Sequence, residues 1–270
     1  MKSVMTAKGV MRRLLSIVIL AAAFQLNAVG APEDTVKIIA HRGVKKFAPE
    51  NTLPAIQKAI EMGIDYVEID IRETSDGEIV LMHNSTVNAT TNGSGAVSAI
   101  TLEDIKKLDA GIKFGEKFKG TAVPTLREAF AIMQAKIGGY IDFKAGSPEK
   151  VVRIVEEFKM EDDVVVYGGM DKLLEIQKLN ERIKVMPGID NINQLKLLMK
   201  SMELKVVETS IDIVTKEYME FANENGIMVF MDILGLSDNR TGMKRALKLR
   251  PYAIQTDHPD ILLKVLQGKY

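Results

Sequence analysis

The chain has 270 residues, 46% of them hydrophobic and 27% charged, with 36 basic and 36 acidic side chains and no net charge. Such a length suits one large domain with a full core, and the charge balance argues against a nucleic-acid-binding chain. The absence of Cys excludes disulfides, thiolate metal sites, lipid attachment at Cys and a Cys nucleophile.

The first thirty residues read as an export signal. Lys2, Lys8, Arg12 and Arg13 make a positive region, and Leu14 to Phe24 is an apolar run too short to span a membrane comfortably. Ala28-Val29-Gly30 then offers a small-residue cleavage site before Ala31. The protein from Ala31 onward is expected to be exported, periplasmic or secreted, with no stable membrane anchor after signal cleavage.

From there strand-like and helix-like segments alternate. Strands are expected at Val36 to Ala40, Asp65 to Ile71, Gly138 to Phe143, Val164 to Tyr167, Ile183 to Met186, Lys205 to Thr209, Ile227 to Met231 and Ala253 to Thr256. Helical spacing fills 51–62, started by Pro49-Glu50-Asn51-Thr52, with Leu53, Ile56, Ala59 and Ile60 on one face. Thr125 and Glu128 form a capping box for the next helix. Further helices are expected near 149–159, 170–181, 191–202, 215–225, 240–248 and 259–267. Eight strands in βα alternation predict an α/β fold closed as a (β/α)₈ barrel, one domain over 31–270.

Residues 73 to about 120 have no place in that repeat and read as an insertion at the C-terminal rim, where substrate sites are shaped. Within it, Glu78 to Met82 follows Ser75-Asp76-Gly77 too closely for a crossover, so an antiparallel hairpin is expected. A turn centred on Ser75-Asp76 would set Glu68 opposite His83.

Two of the three histidines close apolar runs: His41 ends the first strand and His83 ends Ile79-Val80-Leu81-Met82. Between them Glu68 and Asp70 alternate inside an apolar strand, so their side chains share a face. Buried carboxylates are costly without a partner, and a divalent metal such as Mg²⁺ or Ca²⁺ supplies one. Asp142 adds a third carboxylate at the end of the next parallel strand. Lys144 points to the same side as Asp142 and suits a phosphate oxygen, as does the planar fork of Arg42. Two histidines beside a carboxylate set suggest metal-assisted acid–base chemistry.

Taken in order, His41-Arg42-Gly43, Pro49-Glu50-Asn51-Thr52, Glu68-Ile69-Asp70, Thr74-Ser75-Asp76-Gly77, His83, Thr90-Thr91-Asn92-Gly93, Leu108-Asp109-Ala110-Gly111, Val123-Pro124-Thr125-Leu126, Asp142-Phe143-Lys144 and Gln255-Thr256-Asp257-His258-Pro259-Asp260 resemble the glycerophosphodiester phosphodiesterase family over nearly the whole chain after the signal. The resemblance implies a barrel whose small insertion lies between the second barrel strand and its helix. It implies one divalent metal, Ca²⁺ or Mg²⁺, held by Glu68, Asp70 and Asp142, with His41 and His83 as acid and base. The implied substrate is a small-molecule glycerophosphodiester, hydrolysed to glycerol 3-phosphate and an alcohol. Glu50 is expected behind the site, hydrogen-bonding Arg42 or a histidine.

The chain departs from the family pattern in five places. Asn84 stands where a carboxylate usually follows the second histidine, Asp142 where the third ligand is usually Glu, Ala89 where an Arg usually precedes the Thr pair, Phe230-Met231-Asp232-Ile233 where a Trp-Thr-Val-Asn run is usual, and His258 where Arg is more common. Two rival readings follow from these features. One is a lysophospholipase D-like lipid phosphodiesterase, for which Ile100, Leu102, Ile105 and Leu108 would form an apolar approach surface. The other is a non-catalytic binding protein on the same fold.

Overall fold

A computed structural model describes residues 35–269; the expected signal over 1–30 and its cleavage point before Ala31 lie outside the described residues. The first half contains β1 (Lys37–Ala40), α1 (Leu53–Glu61), β2 (Tyr66–Glu73), β3 (Ile79–Leu81), α2 (Leu102–Ile105), α3 (Leu126–Met133), β4 (Gly138–Phe143) and α4 (Pro148–Glu157). The second half contains β5 (Val164–Gly168), α5 (Met170–Leu179), β6 (Lys184–Met186), α6 (Ile192–Leu198), β7 (Val206–Ser210), α7 (Lys216–Glu224), β8 (Met228–Asp232), α8 (Arg240–Leu249), β9 (Ala253–Thr256) and α9 (Pro259–Leu266). The capping box at the start of α3 forms as expected. Thr125 Oγ1 accepts from the Glu128 amide at 3.1 Å, and the Glu128 carboxylate accepts from the Thr125 amide at 2.7 Å.

All barrel strands are parallel, in the order β6-β5-β4-β2-β1-β9-β8-β7. A parallel bridge between Gly188 and Glu208 joins the two ends of that path, so the sheet nearly closes into the expected (β/α)₈ barrel. Alternation explains both faces. Val67, Ile69 and Ile71 of β2 point outward into the large core shared with the helices, as do Ile141 and Phe143 of β4. Ile39, Tyr140, Val165, Met186, Val206, Phe230 and Ala253 point inward and fill the barrel as a second core. Phe230 sits at its centre, edge-on to Tyr66 at 5.5 Å and stacked on Tyr252 at 5.5 Å. This aromatic layer blocks the lumen and forms a floor for whatever binds above it.

β3 pairs antiparallel with β2, as expected, but one residue out of the expected register: Ile71 faces Leu81 and Arg72 faces Val80. The turn holds three residues, Ser75-Asp76-Gly77, with the Thr74 amide donating to the Glu78 carbonyl at 2.9 Å and Gly77 at φ 86°. A glycine in the left-handed region is what this three-residue connection requires. A shift of one residue reverses which side chains face each other, so Glu68 does not lie opposite His83. The inserted segment also builds its own small core from Val80, Met82, Val87, Val97, Ile105, Ala110 and Val123. Ile105 is fully buried there, and Ile100, Leu102 and Leu108 pack against it. These residues are used internally and form no apolar approach surface.

Candidate active site

The inward-facing side chains just above the aromatic floor are polar. Asp70 and Asp142 are register partners on adjacent parallel strands, so their carboxylates sit side by side. One oxygen from each of Glu68, Asp70 and Asp142 lies within 4.8 Å of the others. Glu68 and Asp70 are almost fully buried, at 2% and 1% exposure.

The β1–α1 loop holds these carboxylates in place. The Arg42 amide donates to Glu68 Oε2 at 2.6 Å. Asn51 clasps Asp70 from both ends, its Nδ2 donating to Asp70 Oδ2 at 2.8 Å and its Oδ1 accepting from the Asp70 amide at 3.0 Å. Arg42 and Asn51 both adopt left-handed backbone, at φ 55° and 54°, a conformation that costs a non-glycine residue about 1–2 kcal/mol. Gly43 continues the turn at φ 79°, pressed onto α1 so that a Cβ there would lie 2.7 Å from that of Ala55. The strain is spent on folding this loop over the carboxylates.

Charge at the centre is unbalanced toward the negative. Burial, then the neighbouring Asp70 and Asp142 charges, push Glu68 well above the usual carboxylate range. Burial also raises Asp142, against the bond it receives from Lys144. Lys144 reaches Asp142 Oδ2 at 2.5 Å and stands 3.3 Å from Asp70 Oδ1. That Asp70 oxygen is nevertheless buried without a hydrogen bond. Three clustered carboxylates and an orphaned buried oxygen fit a hard divalent cation with oxygen ligands.

His41 is nine-tenths buried. Its Nδ1 lies 2.7 Å from Asp257 Oδ1, and its Nε2 lies 3.9 Å from Glu68 Oε2. Since a carboxylate accepts, Nδ1 donates to Asp257, and Nε2 is turned toward Glu68. His83 emerges beyond the end of β3. Its carbonyl accepts two bonds from the Arg72 guanidinium, at 3.0 and 2.8 Å, and its Nδ1 lies 2.8 Å from Asn84 Oδ1. A charge on the nearby His83 ring would draw the Asp142 carboxyl down. The Arg42 guanidinium is engaged rather than free: Nη1 donates to Glu50 Oε1 at 3.0 Å, and Nε stands 3.4 Å from Asp70 Oδ2. Every residue singled out from sequence thus belongs to one neighbourhood at the C-terminal mouth.

The profile of the glycerophosphoryl diester phosphodiesterase family matches residues 41–261. The chain belongs to this family. A glycerophosphodiester phosphodiesterase of Caldanaerobacter subterraneus subsp. tengcongensis is 35% identical over 85% of this chain and 97% of its own length. One from Bacillus altitudinis is 30% identical over the same share of each chain. Among solved structures, a glycerophosphodiester phosphodiesterase from Agrobacterium tumefaciens superposes with a TM-score of 0.78 at 28% identity, over 84% of this chain and 99% of its own. The protein is an enzyme, a glycerophosphodiester phosphodiesterase.

Three acidic residues of this phosphodiesterase have no role that sequence alone assigns, although Asp257 stands in the closing motif. Asp257 receives both His41 and, at 2.7 Å, Lys45. Burial pushes it up, but the bonds from His41 and Lys45 outweigh this and hold it at about 2. Asp238 accepts from the Thr256 hydroxyl at 2.5 Å and the Asp257 amide at 2.6 Å, and so fixes the backbone of Asp257. Glu208 stands across the barrel mouth near the Tyr167 hydroxyl, both 3.3 Å from a Cβ placed at Gly188. Burial, then the charges of Asp232, Asp190 and Asp142, push Glu208 up to about 7. Asp257 and Glu208 occupy inward positions at strand ends, the same signal that marks Glu68 and Asp70 in the sequence.

Proposed function

We propose that the protein is an exported, metal-dependent phosphodiesterase that splits glycerophosphodiesters into glycerol 3-phosphate and an alcohol, with His41 and His83 as its acid–base pair. The observation that carries this reading is the convergence of the His41–Asp257 pair and the Glu68, Asp70 and Asp142 carboxylates at one barrel mouth. Export is supported by the charged and apolar pattern of residues 2–24, and no helix among the described residues is long and apolar enough to cross a membrane.

Glu68, Asp70 and Asp142 would hold Ca²⁺ or Mg²⁺. Such an ion neutralises phosphate oxygens as charge develops on them. Lys144 and Arg42 add positive charge on the same side, and Glu50 keeps the Arg42 fork oriented. His41, with Nδ1–H given to Asp257, takes the proton of the attacking hydroxyl at Nε2. Asp257 then stabilises the imidazolium that forms. His83 gives a proton to the oxygen of the departing alcohol, and Asn84 orients its ring. Water and the neighbouring glycerol hydroxyl both fit the role of attacking group.

The test is release of glycerol 3-phosphate from glycerophosphodiesters by the protein from Ala31 onward, with Ca²⁺, Mg²⁺ or EDTA. Release that needs a divalent ion and falls by about 10²–10⁴-fold in His41→Ala and His83→Ala is expected, with Glu68→Ala losing metal binding by calorimetry. Full activity in EDTA, or in either histidine variant, would refute the mechanism.

A further inference from the structure

Beside the His41–Asp257 pair a cleft of about 460 Å³ opens between the β1–α1 loop, the insertion and the β9–α9 turn. That volume is in the range of small-molecule sites. Lys45, Lys46 and Lys113 line it against Glu50 and Asp257, with the half-exposed ring of Phe114 on the wall formed by the insertion.

The charges on these walls are not equivalent. Glu50 is taken by Arg42 at 3.0 Å, and Asp257 by His41 and Lys45. Lys46 pairs with Asp260 at 3.1 Å. Lys113 has no such counterion. Its ammonium donates to the Asn88 carbonyl oxygen, and among the described residues no carboxylate forms an ion pair with it. Lys45 and Lys46 each stand against a carboxylate, so the cleft keeps a positive charge at Lys113. Farther round the barrel mouth, on β7 and β8, stand the carboxyl groups of Glu208 and Asp232, which accept hydrogen bonds from hydroxyl groups. A glycerophosphodiester laid across the metal carboxylates would place its glycerol over Glu208 and Asp232 and its other alcohol in the cleft.

The loop that carries Lys113 is fixed in place. The Asp109 carboxylate accepts from the amides of Gly111 at 2.8 Å, Ile112 at 3.0 Å and Gly120 at 2.7 Å, so both ends of the 111–120 loop hang on one side chain. A cation on an ordered loop selects better than one on a floppy loop, because less entropy is lost when it engages a ligand.

We propose that this cleft seats the departing alcohol and that Lys113 selects alcohols bearing an anionic group of their own, a carboxylate or a phosphate ester, over alcohols bearing a quaternary ammonium. The proposal rests on the phosphodiesterase reading above and names its preferred substrate class. Phe114 could in principle receive an ammonium over its face, but the carboxylates beside it are already neutralised while Lys113 is not.

The experiment compares kcat/KM for glycerophosphocholine, glycerophosphoglycerol, glycerophosphoserine and glycerophosphoglycerol phosphate. Wild-type protein is expected to favour the phosphorylated substrate over glycerophosphoglycerol by about fivefold, the worth of one partly exposed ion pair, and to favour the choline ester least. Lys113→Ala should bring that ratio close to one, and Lys113→Glu should invert it, a swing of about 25-fold from removing and then reversing one such pair. Because the readout is a ratio, a general loss of activity cancels. Glycerophosphoserine separates the sources: a Lys113-dependent preference for it shows that a carboxylate suffices, and a preference confined to the phosphorylated substrate assigns the site to phosphate. Turnover with a ratio that neither variant moves, or a wild-type preference for choline, overturns the proposal. Release of glycerol 3-phosphate from none of the four overturns the phosphodiesterase reading and the proposal with it.

Discussion

Replacing Asp257 by Asn isolates what its charge contributes to His41. The carboxylate is 2.7 Å from His41 Nδ1 and 2.7 Å from Lys45 Nζ. Against the cost of burial, those two partners bring it from 3.8 to about 2. At 1.36 kcal/mol for each pKa unit the fall is worth about 2.4 kcal/mol. The side chain is 27% exposed, and solvent screening reduces this to about 1–1.5 kcal/mol for the two partners together. Asn keeps an acceptor for Nδ1–H but cannot stabilise the imidazolium, so Asp257→Asn should lower kcat about tenfold. Asp257→Ala also releases the ring to turn and to exchange tautomers, and about 100-fold is expected, within the usual range for general acid–base catalysis. The assay is steady-state release of glycerol 3-phosphate at saturating substrate and metal, with thermal melting to show that both variants are folded. Wild-type kcat in both variants would show that His41 needs neither charge nor orientation from Asp257, and the base assignment would fall with it.

Three further expectations are independent of that chemistry. Glu208 is raised from 4.5 to about 7, so the folded protein keeps a proton that the unfolded chain loses between those values, and stability falls as pH rises through that window. Glu208→Gln removes the loss, and in urea titrations with EDTA it should gain about 1–3 kcal/mol over wild type at pH 8 relative to pH 5; equal pH dependence in both proteins contradicts the burial of this carboxyl. Gly43→Ala forces a Cβ to within 2.7 Å of Ala55 at φ 79°, an overpacked and strained position that should cost about 2–4 kcal/mol; a loss below 0.5 kcal/mol would mean the loop is not pressed onto the helix. Asp109→Ala should abolish hydrogen-exchange protection at the Gly111, Ile112 and Gly120 amides and raise KM more than it lowers kcat, while protection retained at all three would show that the loop has other support.

Much of this was legible in sequence because barrels report themselves through two periods. Each β-strand core fell within a residue or two of its expected position, since Val, Ile and Tyr runs between helical segments leave little choice. The strand-end rule then found His41, Glu68, Asp70 and Asp142. Glu208 and Asp257 carry the same alternation in Val206-Val207-Glu208 and Ala253-Ile254-Gln255-Thr256-Asp257 but stand out less, because no second carboxylate lies two residues away and a lone acid at a strand end is commonly a solvated group. The β2–β3 register failed for a different reason. Whether Ser75-Asp76-Gly77 closes as two residues or three depends on Gly77 reaching φ 86° and on Thr74 bonding the Glu78 carbonyl, and both readings satisfy the hydrophobic pattern. Glu50 bonds Arg42 from eight residues away, as the sequence led one to expect, whereas Asp257, the partner of Lys45, comes from an element distant in the chain, and no local pattern encodes that pairing.

The segment after β2 packs its apolar side chains into a separate small core, and its cleft-facing loop is tied by Asp109 to itself. Substitutions at Lys113, Phe114 or Ala89 therefore fall outside the two hydrophobic clusters of the barrel itself. A leaving-group preference set by that loop would be heritable separately from the reaction. Surface positions of this segment can drift while the strand ends that carry Glu68, Asp70 and Asp142 stay fixed. A library randomised only at the cleft-facing positions of this segment should accordingly yield folded, active enzymes far more often than one of equal size aimed at the strand ends.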